Sequence, residues 1–376
     1  MYISYWGGET VEKSLPFYRG CLLGMAVGDA MGYAIDGKTW AEIQEAYGPN
    51  GLLGYDLQEF EYAQITSYTQ FAAFLCNGLL LSVSRGKVDY LRYAKLSIKE
   101  WLRSQHFYRD PETSYCWLAK LPQFRRKQCR DARMLDTLRL DSCGSMQSPK
   151  NNNAAPGAIT SAVAVGLFYN HKRLSPEQVG TLSGELVALT HGNPEAFLSG
   201  VVLAYTITGI LQEPSIPLAD QFQQAIAVMD GQFRSQFFQA EDLALQLRRA
   251  IALAKSSTVD IQEGMEQLGC MDAPQCLAGA MYACLLYPND FDSAIITAVN
   301  HSGMSAAVGA ITGAILGAKL GEEALPDFYL ESLDCVEPLQ YLAEDMLSGA
   351  PALSVFDDTW DHKYVQGLPP EGLPQI

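Results

Sequence analysis

Long apolar stretches separated by short polar breaks run through the chain, and within them the apolar positions recur at the three-to-four-residue interval of helices. That interval predicts helices near 15–32, 39–47, 66–84, 87–105, 157–170, 175–190, 194–212, 218–229, 240–255, 259–267, 274–286, 290–299, 304–320, 326–332 and 336–347. Start signals support several of them. Ser175-Pro176-Glu177 and Asn193-Pro194-Glu195 each place a capping side chain before a proline in the first turn. Strand signals are poor, because two-residue alternation is rare and Asn-Gly or Asp-Gly turns do not frame β-rich runs. The segment 106–153, with RDPETS and SPKNNN, is the least regular and reads as a long loop or subdomain over one face. The Pro- and Gly-rich tail 351–376 ends GLPPEGLPQI and reads as an irregular arm that packs or frays. No shift in composition divides the body. The expected fold is all-α, a single compact multi-helix domain over 1–350.

Two rows of glycine punctuate this helical pattern, Gly20-Gly24-Gly28-Gly32 and Gly309-Gly313-Gly317-Gly321. A glycine inside a helix costs about 1 kcal/mol relative to alanine, so isolated rows would argue against helices. At a spacing of four, however, a 3.6-residue turn keeps the glycines near one side, where another backbone packs closely. The rows therefore predict two buried, tightly packed helices that frame a cleft, the first carrying Asp29 within its groove.

Composition narrows the class. Of 376 residues, 48% are hydrophobic and 18% charged, with 42 acids against 26 Lys and Arg and a formal charge of −16. That balance disfavours a nucleic acid or an anionic membrane as partner. The one dense basic stretch, Arg125-Arg126-Lys127 with Arg130 and Arg133, lies beside acids and reads as a solvated helix face, with a phosphate site as the lesser alternative. Nine scattered cysteines form no CxxC pair, which signals neither zinc nor a disulfide framework. The opening MYISYWGGETVEKS lacks a basic region followed by an apolar one, so the expected location is cytoplasmic. Uncharged runs at 154–169, 196–212 and 301–318 are marginal against the roughly 20 apolar residues of a membrane span and read as buried core helices.

Three segments in order, RGCLLGMAVGDAMG, ALTHGNPEAFLSG and GAITGAILGAKLGEEALP, resemble the ADP-ribosylglycohydrolase family in sequence and spacing. That family includes the enzyme that reactivates dinitrogenase reductase and the human ADP-ribosylhydrolases. The resemblance runs from about Arg19 to Leu333. It implies an all-α domain with a cleft for two Mg²⁺ ions and ADP-ribose. The ions would be held by a Thr-Asp-Asp-Thr helix start, a Gly-Gly-Asp-x-Asp-Thr helix start and a glutamate after the first glycine row. Such ions need hard oxygen ligands, and they would orient a ribose and polarise a water for attack.

The chain departs from the family at those positions. Thr66, Ser67, Tyr68 and Thr69 stand where Thr-Asp-Asp-Thr is expected, and Met304, Ser305, Ala306 and Ala307 where Asp-x-Asp-Thr is expected. Asp36 falls at the glutamate position. The two-Mg²⁺ site is therefore expected to be lost, with no metal ligand set and no cofactor. In the segment that meets the phosphates, NNNAAPG keeps Asn152, Ala154 and Ala155 but has Pro156 and Gly157 where the family has Met-Arg. Candidate catalytic groups for metal-free chemistry are Asp36, Tyr68 and His301. Candidate ligand-binding residues are Asp29, Thr66, Ser67, Asn152, His191, Gly303, Met304 and Ser305. Each also has a structural role open to it: Asp29 as a backbone-bonding acid, Thr66 as a helix cap, Tyr68 as a cleft wall, and His191 as the organiser of a helix junction.

Three functions follow. The first is a catalytically degenerate family member that binds an ADP-ribose-like or nucleotide ligand, or a protein. The second is a metal-independent ADP-ribosyl or other glycosidic hydrolase with a rebuilt site. The third is a structural or interaction protein whose cleft is filled.

Overall fold

The computed structural model describes residues 15–84, 89–105, 114–169, 174–351, 355 and 357–373. The first fourteen residues, most of the RDPETS stretch and the last three residues of the tail lie outside these. In chain order the helices are α1 (Leu15–Tyr33), α2 (Trp40–Tyr47), α3 (Ser67–Ser84), α4 (Tyr90–Ser104), α5 (Ala132–Arg139) and α6 (Ser161–Phe168). They continue with α7 (Pro176–Ala188), α8 (Pro194–Gln212), α9 (Leu218–Phe233), α10 (Gln239–Ala254), α11 (Ile261–Leu268) and α12 (Ala273–Leu286). The last are α13 (Phe291–Val299), α14 (Ser305–Leu320), α15 (Asp327–Glu331), α16 (Val336–Ser348) and α17 (Asp358–Tyr364). Among the described residues the only strand-like pairing is one isolated bridge, Ala63 with Leu333.

Six helices that are apolar on every side form the centre, as helices without a polar face must. They close a ring in which α1 packs on α14, α14 on α12, α12 on α8, α8 on α6, α6 on α3, and α3 on α1. Helices with one polar face, including α4, α9, α10, α13 and α16, wrap this ring. Helix α8 is long and apolar enough to span a membrane by composition, but 89% of its window is buried inside the protein.

The tightest contact is between the two glycine rows, which face each other on antiparallel helices. A Cβ added at Gly20, Gly24 or Gly28 would run into the carbonyl oxygen of Gly317, Gly313 or Gly309 respectively. The reverse holds from Gly309, Gly313 and Gly317, and Gly32 abuts the backbone of Ser305 and Ala306. Only hydrogen in place of a side chain permits this approach, which explains why the helix-breaking cost is tolerated here.

The helical body matches the sequence expectation, and two elements correct it. The irregular segment 106–153 contains α5, capped by Asp131, whose side chain accepts the Met134 N–H at 3.0 Å. The tail is not simply an irregular arm. Within it, α17 buries Trp360 and Tyr364, and the buried Lys363 ammonium meets the Asp345 carboxylate on α16 at 2.5 Å.

Candidate functional site

Where the starts of α3, α5 and α14 come together with the 3-10 turn Pro156–Ala158, a cleft of about 390 Å³ opens to solvent. Its inner wall is Asp36, Thr66, Ser67, Tyr68 and Met304. Asn153, Ala155, Pro156 and Gly157 form one side, and Gln128, Arg130, Asp131, Ala132 and Arg133 the other. Helix starts expose unpaired backbone N–H groups and the positive end of the helix dipole, so they attract carboxylates.

In this chain three aspartates answer those three helix starts. Fully buried Asp29 serves α3: it accepts from Thr66 N (2.9 Å), Thr66 Oγ1 (2.6 Å), Thr69 N (3.1 Å) and Thr69 Oγ1 (2.6 Å). Burial outweighs these four donors and raises its pKa to about 6. Asp36 serves α14, accepting the Ala306 N–H at 3.0 Å. Burial pushes its pKa up, opposed by that N–H and by the Arg130 guanidinium. Asp131 serves α5 through Met134 and also accepts from Asn153 Nδ2 at 2.9 Å. His191 Nε2 lies 3.0 Å from the same Asp131 oxygen, and its Nδ1 lies 2.8 Å from Thr190 Oγ1. Burial opposes ionisation of Asp131, but the hydrogen bond and charge of His191, with Met134 N and Asn153, outweigh it and hold its pKa at about 2. An added Cβ at Gly157 would come 3.1 Å from His191 Nε2, so the glycine makes room for this pair.

Two arginines stand opposite. Arg130 lies over the Tyr33 ring at 5.3 Å, and its Nη1 is 3.8 Å from Asp36 Oδ2, beyond hydrogen-bond length. Its side chain is 60% exposed. Arg133 is exposed and has no ion pair among the described residues. The reading of this basic stretch as one solvated face is corrected: Arg130 and Arg133 line the cleft, while Arg126 pairs with Asp334. Asp131 was not singled out from the sequence, and the two arginines were noted there only as part of the basic stretch. An aspartate directly before a short amphipathic turn is the one local signal that marks Asp131.

The expected site residues divide into three groups. Asp36, Thr66, Ser67, Tyr68 and Met304 line the cleft together. Asp29 and His191 sit behind it, holding Thr66 and Asp131. Asn152, His301, Gly303 and Ser305 are not in its lining. The cleft uses Asn153 in place of its neighbour, whose Oδ1 accepts from Asn193 Nδ2 at 3.1 Å. His301 is buried, with Nδ1 3.1 Å from the Ser302 carbonyl and Nε2 unpartnered, and burial lowers its pKa. Gly303, at φ +134°, accepts the Gly37 N–H at 2.7 Å and tethers the loop that carries Asp36. Ser305 is fully buried within α14. Burial and nearby Asp36 hold the Tyr68 hydroxyl well above its ordinary pKa, so it is a hydrogen-bond donor and not a base.

A pair of Mg²⁺ ions does not fit this donor set. Met304 and Ala306 offer no hard oxygen side chain, and Tyr68 stays protonated. Of the two cleft carboxylates, Asp36 is committed to α14 with a guanidinium beside it, and Asp131 accepts from three protein donors if His191 Nε2 carries the proton.

The sequence profile of ADP-ribosylglycohydrolases matches residues 12–354. Among solved structures, an ADP-ribosylglycohydrolase-related protein complex is similar in fold, with a TM-score of 0.58 and 22% identity. That similarity covers 90% of this chain and 99% of the other. A comparison with curated proteins found no match. The profile spans nearly the whole helical body, both glycine rows and every element around the cleft: the chain belongs to the ADP-ribosylglycohydrolase family.

Proposed function

We propose that this chain is a family member that has left two-metal hydrolysis and keeps its cleft to bind a nucleotide-like ligand. The observation that carries this reading is the Asp36–Ala306 bond. The acid at the family's glutamate position is tied to the backbone of α14, where two further acids are replaced by Met304 and Ala306. The cleft is open and largely apolar with a few polar groups, among them Ser67 and Tyr68, which suits a small-molecule ligand better than a filled, structural role. A metal-free hydrolase built on Asp36, Tyr68 and His301 is disfavoured, because His301 is absent from the cleft lining and the Tyr68 hydroxyl is not a base.

The test is incubation with an ADP-ribosylated protein in Mg²⁺ or in EDTA, with calorimetry of ADP-ribose binding alongside. Binding of ADP-ribose with no release of it from the protein is the expected result. Release of ADP-ribose that depends on Mg²⁺ would overturn the reading.

A further inference from the structure

We infer that Arg130 is a built-in cation of this cleft, supplying from the protein the positive charge that a metal site would supply, and that it receives the phosphate of the ligand. The inference rests on the ligand-binding reading above and names the group that makes such binding independent of metal.

Four observations carry it. The Arg130 guanidinium is the charged group beside Asp36, with Nη1 3.8 Å from Oδ2. That distance is too long for a hydrogen bond, so the attraction to Asp36 places the guanidinium without engaging its donors. A largely exposed guanidinium, whose planar fork of N–H donors suits a phosphate, therefore stands on the wall of an open cleft. The Tyr33 ring under the guanidinium at 5.3 Å favours one orientation without consuming those donors. Arg133, an exposed arginine, lines the same cleft. These two cations oppose a protein of net charge −16, which would otherwise repel an anion.

The position of Arg130 also accounts for the disagreement between this chain and a metal site. A cation next to Asp36 repels an approaching divalent ion and stabilises the carboxylate without it. Pro156 and Gly157 bring no charge to the cleft, and Arg130 comes to it from another part of the chain.

Calorimetry of the full chain with ADP-ribose, in EDTA and in Mg²⁺, tests this, together with Arg130→Ala, Arg130→Lys and Arg133→Ala. The native chain is expected to bind equally in both buffers. Arg130→Ala is expected to lose tenfold or more in affinity, Arg130→Lys less, and Arg133→Ala less than Arg130→Ala. The salt dependence of binding should flatten in Arg130→Ala, which a merely structural role would not cause. Because the side chain is exposed and makes no short bond, the variant should melt near the native temperature. Affinity unchanged in Arg130→Ala, binding only with Mg²⁺, or no binding by the native chain would each overturn the inference. Mg²⁺-dependent turnover, by contrast, would overturn the reading on which it rests.

Discussion

The Asp36 carboxylate accepts the Ala306 N–H at 3.0 Å across 270 residues of sequence. This single bond joins the segment after α1 to the start of α14 at the edge of the cleft. It engages one of the two oxygens of Asp36 with backbone and leaves the other, Oδ2, beside Arg130.

The glycine contacts invert a familiar rule. Glycine to alanine in a helix usually stabilises, by up to about 1 kcal/mol. Gly231, near the end of α9, has nothing within 4 Å of an added Cβ and should follow that rule. Gly28→Ala and Gly313→Ala instead drive a methyl group into the opposing backbone and should cost about 1–3 kcal/mol or more. Urea denaturation of the three variants should show opposite signs.

Asp29 makes stability depend on pH. Its folded pKa of about 6 exceeds the unfolded value of 3.8, so the folded state binds the extra proton between them. The stability from this group is complete below the unfolded value and is lost as pH rises through about 6, by about 3 kcal/mol. Denaturation midpoints measured across that window should fall in the native chain with rising pH. In Asp29→Asn that slope should be reduced, although the variant should be less stable, since an amide nitrogen then faces donors from Thr66 or Thr69.

Asp131 has the opposite sign. Its folded pKa of about 2 lies below the unfolded value of 3.8, so its contribution is present above the unfolded value and is lost as pH falls through the folded one. His191→Ala should move the Asp131 carboxyl titration, followed by carbon NMR, up toward about 4 and cost about 1–3 kcal/mol. An unmoved titration would show that Met134 N and Asn153 suffice to hold the carboxylate.

The tail makes a further prediction. Lys363→Ala strands the buried Asp345 carboxylate with only the Tyr364 hydroxyl, at 2.6 Å, and should cost about 3–5 kcal/mol. The double variant Lys363→Met with Asp345→Leu should recover most of this in thermal melts, because an apolar pair of similar size replaces a buried ion pair at little cost.

The sequence made the long apolar helices legible, because a helix such as α8 carries its own period across nineteen residues. Helices α5 and α17 have eight and seven residues, too few for a periodic signal against their charged neighbours. The cleft was half legible. Asp36, Tyr68 and Met304 could be placed because they stand at motif positions of the family that the chain resembles. Arg130 could not, since its exposure to the cleft depends on how residues 117–131 lie over α3. That placement is fixed by long-range amide bonds: Gln70 Nε2 to the Arg126 carbonyl, and Gln105 Oε1 to the N–H groups of Gln128 and Cys129. No local pattern reports such tethers.

A ladder with a four-residue repeat has a built-in ambiguity. Sliding α14 by one turn along α1 would again set glycine against glycine everywhere but at the ends, so packing alone discriminates weakly between neighbouring registers. The tie is broken at the ends: by Asp36 with Ala306 and the paired bonds of Gly303 with Gly37 and Lys38 at one, and by Arg19 with Glu322 at the other. The acid at the cleft edge is thus one of the index marks of the helix pair, which gives selection a reason to retain it whatever chemistry the cleft performs.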